Sequence, residues 1–508
     1  MKLSPSALAA LLIATPAMAC TSDCPMMKSL HPGTPCEPIS AAAAPSMATA
    51  PATPPMVMQA RNLIEAQLQH GSSGTSIEPA STPVSMLMTS GHGWQLMLHG
   101  TAFVANNQQQ AAKVPGQAER GRDAFFSTNW VMPMAEHRVG PGTLTLRTML
   151  SLEPGTVHNR EYPELFQQGE TAYGTPILDG QHPHDLWMEL AAIYDVPLGK
   201  RALFELYSAP VGDPAIGPTA YPHRASAGED PLAALGHHQE DSTHIAFNVI
   251  TGGLTYRWAR VELSGFHGGE PAEDRWHFQP STNGHNVDSV STRLTVSPTA
   301  DWTGQYSFAH IQHPEALYPT EDQQRQTASI MYHHTWKHAA SDNAMGSMDM
   351  SGDMAGMDMA AMDMKHSAAM PGMSAEPSTD LSATFVWGRT KAEPLAPTSA
   401  SEVANSYLAE ARFKFLTKNY VWTRLENAAR TSELELTPGA PLPIGFDEQG
   451  VGHVAAYSFG YDRDFAAGPH LVIAPGTQIS FYRTPDALRS IYGNTPTGEA
   501  FFLRLRLR

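Results

Sequence analysis

Cysteine is nearly absent: three in 508 residues, Cys20, Cys24 and Cys36, all close to the start. Three cannot all pair within one chain, and none lies in the body of the sequence, so disulfides do not hold the fold together. Long hydrophobic runs are missing too. No stretch beyond the first twenty residues reaches the ~18 consecutive apolar positions of a spanning helix. Cationic charge is scarce, with 32 Lys and Arg against 49 Asp and Glu and a net charge of −17. That balance argues against a nucleic-acid partner. Catalytic signatures are lacking as well: no Gly-x-Ser-x-Gly elbow, no His-Glu-x-x-His and no glycine-rich phosphate loop. The single His-x-His, with no His-Cys-His element, speaks against a multicopper oxidase. The chain is not expected to be an enzyme.

What is present begins with an export signal. "MKLSPSALAALLIATPAMAC" places Lys2 before an apolar stretch and ends in the small-x-small site Ala17-Met18-Ala19. Residues 1–19 are read as a signal peptide, with Cys20 either the cleaved N-terminus or a lipidated one. Residues 20–92 follow as a disordered periplasmic segment, because "AAAAPSMATAPATPP" cannot bury an apolar core. One short helix is expected around 60–69, as a peripheral feature.

From Gly93 the pattern becomes strict alternation. In "SYLAEARFKFL" (406–416), Tyr407, Ala409, Ala411, Phe413 and Phe415 oppose Glu410, Arg412 and Lys414. The same period of two recurs over 143–152 and 497–507. The segments are longer than ordinary soluble strands, and short connections alternate with long ones. The predicted fold is all-β: a single antiparallel transmembrane β-barrel of about 16 strands (range 12–16) over 93–508, with both termini in the periplasm. Its polar face would line a lumen carrying Arg293, Arg412, Lys414 and Arg424.

An insert at 339–378 interrupts the barrel between its tenth and eleventh strands, on the periplasmic side by strand parity. It contains Met345, Met348, Met350, Met354, Met357, Met359, Met362, Met364, His366, Met370 and Met373 among Asp, Gly, Ser and Ala. Thioethers and imidazole are soft ligands that suit Cu(I) and Ag(I). A core helix is excluded, since no other large apolar residue is present; an inert linker is the competing reading. A second soft cluster lies at Cys20, Cys24, Met26, Met27, His31 and Cys36. On the opposite side, the long connections hold His182, His184, His223, His237, His238 and Asp241. These either converge on Cu(II) or Zn(II), or hydrogen-bond to order the loops.

"GQHPHDLWMELAAIYD", "YSAPVGDPAIGPTAYPHRASA", "PLAALGHHQEDSTHIAFNVITGGL" and "GGEPAEDRWHF" resemble a family of predicted outer-membrane β-barrel proteins of Gram-negative bacteria. The resemblance covers roughly 90–508 without the insert. It implies the barrel, a setting in outer-membrane lipid and assembly by the barrel machinery, but no chemistry. The plan is also similar, in composition, to the copper-resistance B class of outer-membrane proteins. Two features depart from these patterns: the Met-rich run is internal, and the chain ends in Arg508 rather than an aromatic residue. The expected function is copper or silver binding, tolerance or transport, Cu(I) preferred and no cofactor covalently bound, with periplasmic copper-handling proteins as partners. A channel for a non-metal small solute and a structural or adhesion barrel acting through its outer loops are the alternatives.

Overall fold

The computed structural model describes residues 57–158, 161–241, 246–271, 273–278, 280, 282, 284–315, 318–337, 378–394 and 402–507. The Met-rich insert and the Cys/Met cluster at 20–36 lie outside the described residues.

Sixteen antiparallel strands close into a barrel. They are β1 (Trp94–Gln110), β2 (Asp123–Val139), β3 (Gly142–Leu150), β4 (Trp187–Pro197), β5 (Ala202–Gly212), β6 (Ala246–Tyr256), β7 (Ala259–His267) and β8 (Ser289–Thr299). There follow β9 (Trp302–Ile311), β10 (Glu321–Lys337), β11 (Ser378–Pro394), β12 (Val403–Phe415), β13 (Asn419–Thr431), β14 (Gly450–Arg463), β15 (Leu471–Arg483) and β16 (Thr497–Leu507). Each strand pairs with its sequence neighbour, and β16 closes on β1 from Thr497↔Gln110 to Arg506↔Thr101. The predicted strand count is therefore met at the upper end of its range.

Alternation has the polarity opposite to that of a soluble protein. Leu206, Ile250, Leu254, Leu263, Leu294 and Phe385 face outward and are exposed. Tyr256, Trp258, Trp302 and Trp336 face outward close to the rim that carries the short turns. Inward positions hold Thr, Ser, Gln, Arg and Glu, most of them buried. The charges are matched across strands. Arg147 on β3 meets Glu189 on β4 at 2.7 Å, Arg260 on β7 meets Glu205 on β5 at 2.5 Å, and Arg293 on β8 meets Glu262 on β7 at 2.8 Å. Arg504 on β16 meets Asp462 on β14 at 2.7 Å. Of the lumenal cations predicted from the sequence, Arg412 and Lys414 share Asp380, and Arg424 reaches Asp230 at 3.0 Å. They are paired structural groups rather than free selectivity charges.

Strand parity places β1's start, β16's end and the join of β10 to β11 on one rim, here the terminal rim. Lys337 and Ser378, which flank the insert, are paired in register there.

The stretch before the barrel departs from expectation. The segment 20–92 was expected to be disordered, yet residues 59–86 fold as a plug inside the barrel. A helix at Leu63–Gln67 is capped by Asn62, whose side chain accepts from the Glu65 amide at 3.1 Å. It is not peripheral: Leu63 and Gln67 are buried, and Gln67 donates to Glu205 of the wall at 3.1 Å. Leu87–Gly91 then pairs with the start of β1 through His92 and Gly93, both at positive φ (55° and 81°). A two-residue hairpin turn of this type requires that backbone, and Gly93 adopts it without strain. The physical reason for the difference is the lumen. A polar wall accepts a polar, hydrogen-bonding chain, so low hydrophobicity does not exclude burial here.

From the other rim, the connections 151–186 and 213–241 also fold inward. Asn107 on β1 donates to the Pro163 carbonyl at 2.6 Å, and Arg430 on β13 donates to Phe166 at 2.6 Å and to Leu235 at 2.7 Å. Gly388 on β11 permits close approach by the second connection: a Cβ there would collide with the Gln239 carbonyl.

Candidate functional site in the loop-side vestibule

A cavity of about 780 Å³ opens inside the loop-side rim. Glu315, Glu321, Glu402, Glu433, Asp447 and Glu448 line it, against only Arg325 and Arg430. Burial, followed by the nearby Glu170 carboxylate, pushes Glu315 up to about 7. Burial and Glu448 raise Glu433 well above the usual carboxylate range. Carboxylates crowded in this way are stabilised by protons or by a cation.

His238 lies on the same cavity wall. Its Nε2 stands 3.9 Å from Glu170 Oε1, and His182 Nε2 stands 3.3 Å from the same oxygen. Ligand atoms of all three residues lie within 4.8 Å of one another. His182 Nδ1 is 2.9 Å from the Pro183 carbonyl, to which it donates, so Nε2 is the nitrogen turned toward Glu170. Arg275 also meets Glu170, at 3.5 Å through the other oxygen. Two imidazoles and a carboxylate form a donor set that suits Zn(II) or Cu(II).

The other histidines predicted from the loops divide. His237 packs edge-to-face on His238 at 4.1 Å between centroids, and its Nδ1 donates to the Ala234 carbonyl at 2.6 Å. His184 lies 6.5 Å from the His182 ring, but its Nδ1 is held by Glu153 at 2.9 Å. Burial opposes a charge on His184, and Glu153 outweighs it, raising the ring's affinity for a proton. Asp241 faces Arg224, at 3.9 Å. His223 turns away from this group altogether and packs on β1 to β3. Convergence is thus realised for His182 and His238, with His237 adjacent, while loop ordering accounts for His184 and Asp241. Glu170 was not foreseen: it lies twelve residues before His182 with no spacing signal, and only the folding of the loop brings it in.

Residues 237–241 carry a pH response. The turn of helix at His237–Glu240 sits inside the barrel. Burial, then the Glu426 carboxylate, pushes Glu240 up to about 8; burial, partly offset by Arg224, pushes Asp241 up to about 7. Both folded-state values exceed the ordinary carboxylate value of about 4. The packed loop therefore holds protons that a released loop does not. Its packing is fully supported below that value and weakens as pH rises through 7 to 8. Proteolytic cleavage within the 213–241 connection is expected to speed up between pH about 5.5 and about 8.5, and a rate that changes only as the protease's own pH profile does would contradict this assignment.

No protein-family model matches the chain, and no curated protein matches it. Among solved structures, it is similar to an anion-selective porin from Comamonas acidovorans, at 9% identity over 81% of this chain and 99% of that one, with a TM-score of 0.47. It is also similar to OprB of Pseudomonas putida, at 9% identity over 82% and 94%, TM-score 0.41. The outer-membrane channel DcaP of Acinetobacter baumannii aligns at 7% identity over 82% and 99%, TM-score 0.39. The barrel assignment rests on the closed strand order itself.

Proposed function

We propose that this protein is an outer-membrane barrel that handles copper or silver ions. The outward apolar belt fits outer-membrane lipid, and closure without free edges satisfies every strand in that setting. The observation that carries the metal reading is the acidic vestibule, with the His182–Glu170–His238 cluster beside it. Cations collect there, and anions are repelled. At the terminal rim, which we place in the periplasm, the Met-rich insert supplies thioethers suited to Cu(I). The filled lumen argues against a permanently open solute channel, so passage requires the plug or the loops to move.

Deleting residues 345–373 is expected to lower Cu(I) binding by the purified protein and to raise the copper sensitivity of cells that depend on it. Unchanged binding together with unchanged sensitivity would overturn the role given to the insert.

A further inference from the structure

The lumenal face of β1 to β3 carries an apolar patch built almost wholly of methionine. Met97 on β1, Met132 and Met134 on β2, and Met149 on β3 all point inward and are buried, and Met86 of the plug covers them. Met97 pairs with Met134 in register, and His99 pairs with Met132. Six methionines are buried among the described residues, and five are in this one cluster, which contains no other buried apolar residue. The remaining apolar clusters are built from Ala, Val, Leu, Ile and aromatic rings instead. Packing alone does not call for thioethers in this sector and aliphatics everywhere else.

Imidazoles stand against the thioethers. His223 Nε2 lies 3.2 Å from Met149 Sδ. His99 is 6% exposed, and its Nε2 has no hydrogen-bond partner. The two rings are 5.9 Å apart, with Trp130 5.1 Å from His99 and 4.2 Å from His223. His99, Trp130 and His223 line one cavity of about 190 Å³ between plug and wall. Arg147, Arg224, Arg260, Arg412 and Arg506 border the same cavity, but each is paired with a carboxylate (Glu189, Glu410, Glu205, Asp380 and Asp464 respectively), which cancels most of their repulsion of a cation.

We infer that the His223–Met149 contact, where the methionine cluster meets the wall of this cavity, is a site for a soft monovalent metal ion, Cu(I) or Ag(I), held by His223, Met149 and His99. Bond lengths of about 2.0–2.3 Å put two tetrahedral ligands about 3.5 Å apart, so the His223–Met149 pair needs to open by only a few tenths of an ångström. Soft donors select the monovalent ion over the divalent ions suited to the vestibule. Trp130, packed against both imidazole rings, adds an aromatic face for the cation. The site shares its ion with the function proposed above but none of its residues, so each stands if the other fails.

Ag(I), which is redox-silent, is the probe, titrated into the full-length protein in detergent. Replacing every methionine between 345 and 373 and Met26 and Met27 with leucine, and Cys20, Cys24 and Cys36 with serine, removes the contributions of the insert and of the N-terminal cluster. This background is expected to retain one tightly bound Ag(I) with both sulfur and nitrogen ligands by X-ray absorption. Adding Met149→Leu and His223→Asn is expected to weaken that ion roughly tenfold or more. Met149→Leu alone conserves volume and serves if the double variant does not fold. The inference is overturned if the protein lacking both soft clusters binds no Ag(I), or if Met149→Leu in that background leaves affinity and sulfur ligation unchanged.

Discussion

Removing residues 57–86 is expected to turn an occluded barrel into a conducting one. Sixteen strands enclose an aqueous channel when nothing fills them. Here the plug fills the terminal half through specific bonds to the wall. The Gly74 amide donates to Glu189 at 2.9 Å, Arg293 donates to Thr75 at 2.8 Å, and Ser81 donates to the His333 carbonyl at 2.8 Å. His70 meets Asp195 at 3.1 Å. None of these contacts holds the strands to one another. Closure runs through the β1–β16 ladder, and Arg147, Arg260 and Arg293 keep their carboxylate partners on other strands of the wall. Water replaces the lost plug groups at modest cost because the lumen then opens to solvent. Conductance in a planar bilayer is expected to rise by more than an order of magnitude while the barrel stays folded. Unchanged conductance would mean that the inward loops 151–186 and 213–241 seal the barrel alone.

Glu410→Ala should be the most damaging single substitution in the wall. Glu410 is buried on β12, between Arg224 of the inward loop at 2.6 Å and Arg424 of β13 at 3.3 Å. Ser226 donates to it at 2.8 Å. Removing the carboxylate leaves two buried guanidiniums facing each other, with Arg424 still held by Asp230 and Arg224 left with the Thr219 carbonyl at 3.1 Å and the more distant Asp241. Breaking a buried pair from one side costs about 3–5 kcal/mol. A lower unfolding temperature is expected, together with faster proteolysis of the loop as it comes away from the wall. A stability within about 0.5 kcal/mol of the parent would show that Glu410 does not anchor the loop.

Much of the wall was legible because its code is local. Alternation at Leu144, Leu146 and Leu150 against Arg147, or at Phe501, Leu503 and Leu505 against Arg504, requires only a period of two. The plug was not legible, because "ARNLIEAQLQHGSSGTS" has too little apolar content to announce burial. That test assumes an apolar core, and this interior is polar. The soft-metal cavity left a faint signal. Met97 and His99, and then Met132 and Met134, fall on the face of their strands that should be polar, and period-two bookkeeping of methionine would have marked them.

The sequence by itself determined that the chain makes a closed, all-β barrel of about sixteen strands, and it put the Met-rich insert on the rim of the termini. Strand period, length and parity are properties of neighbouring residues, and they survive without knowledge of any distant contact. Only the tertiary structure decided that the barrel is filled, that its lumenal arginines are neutralised across strands, and that His182 meets His238 and Glu170 while His223 goes to Met149 and His99. Those outcomes depend on register and on how far each loop folds back into the lumen. Pairings such as Gln67 with Glu205, 138 positions apart, leave no periodic trace in the chain.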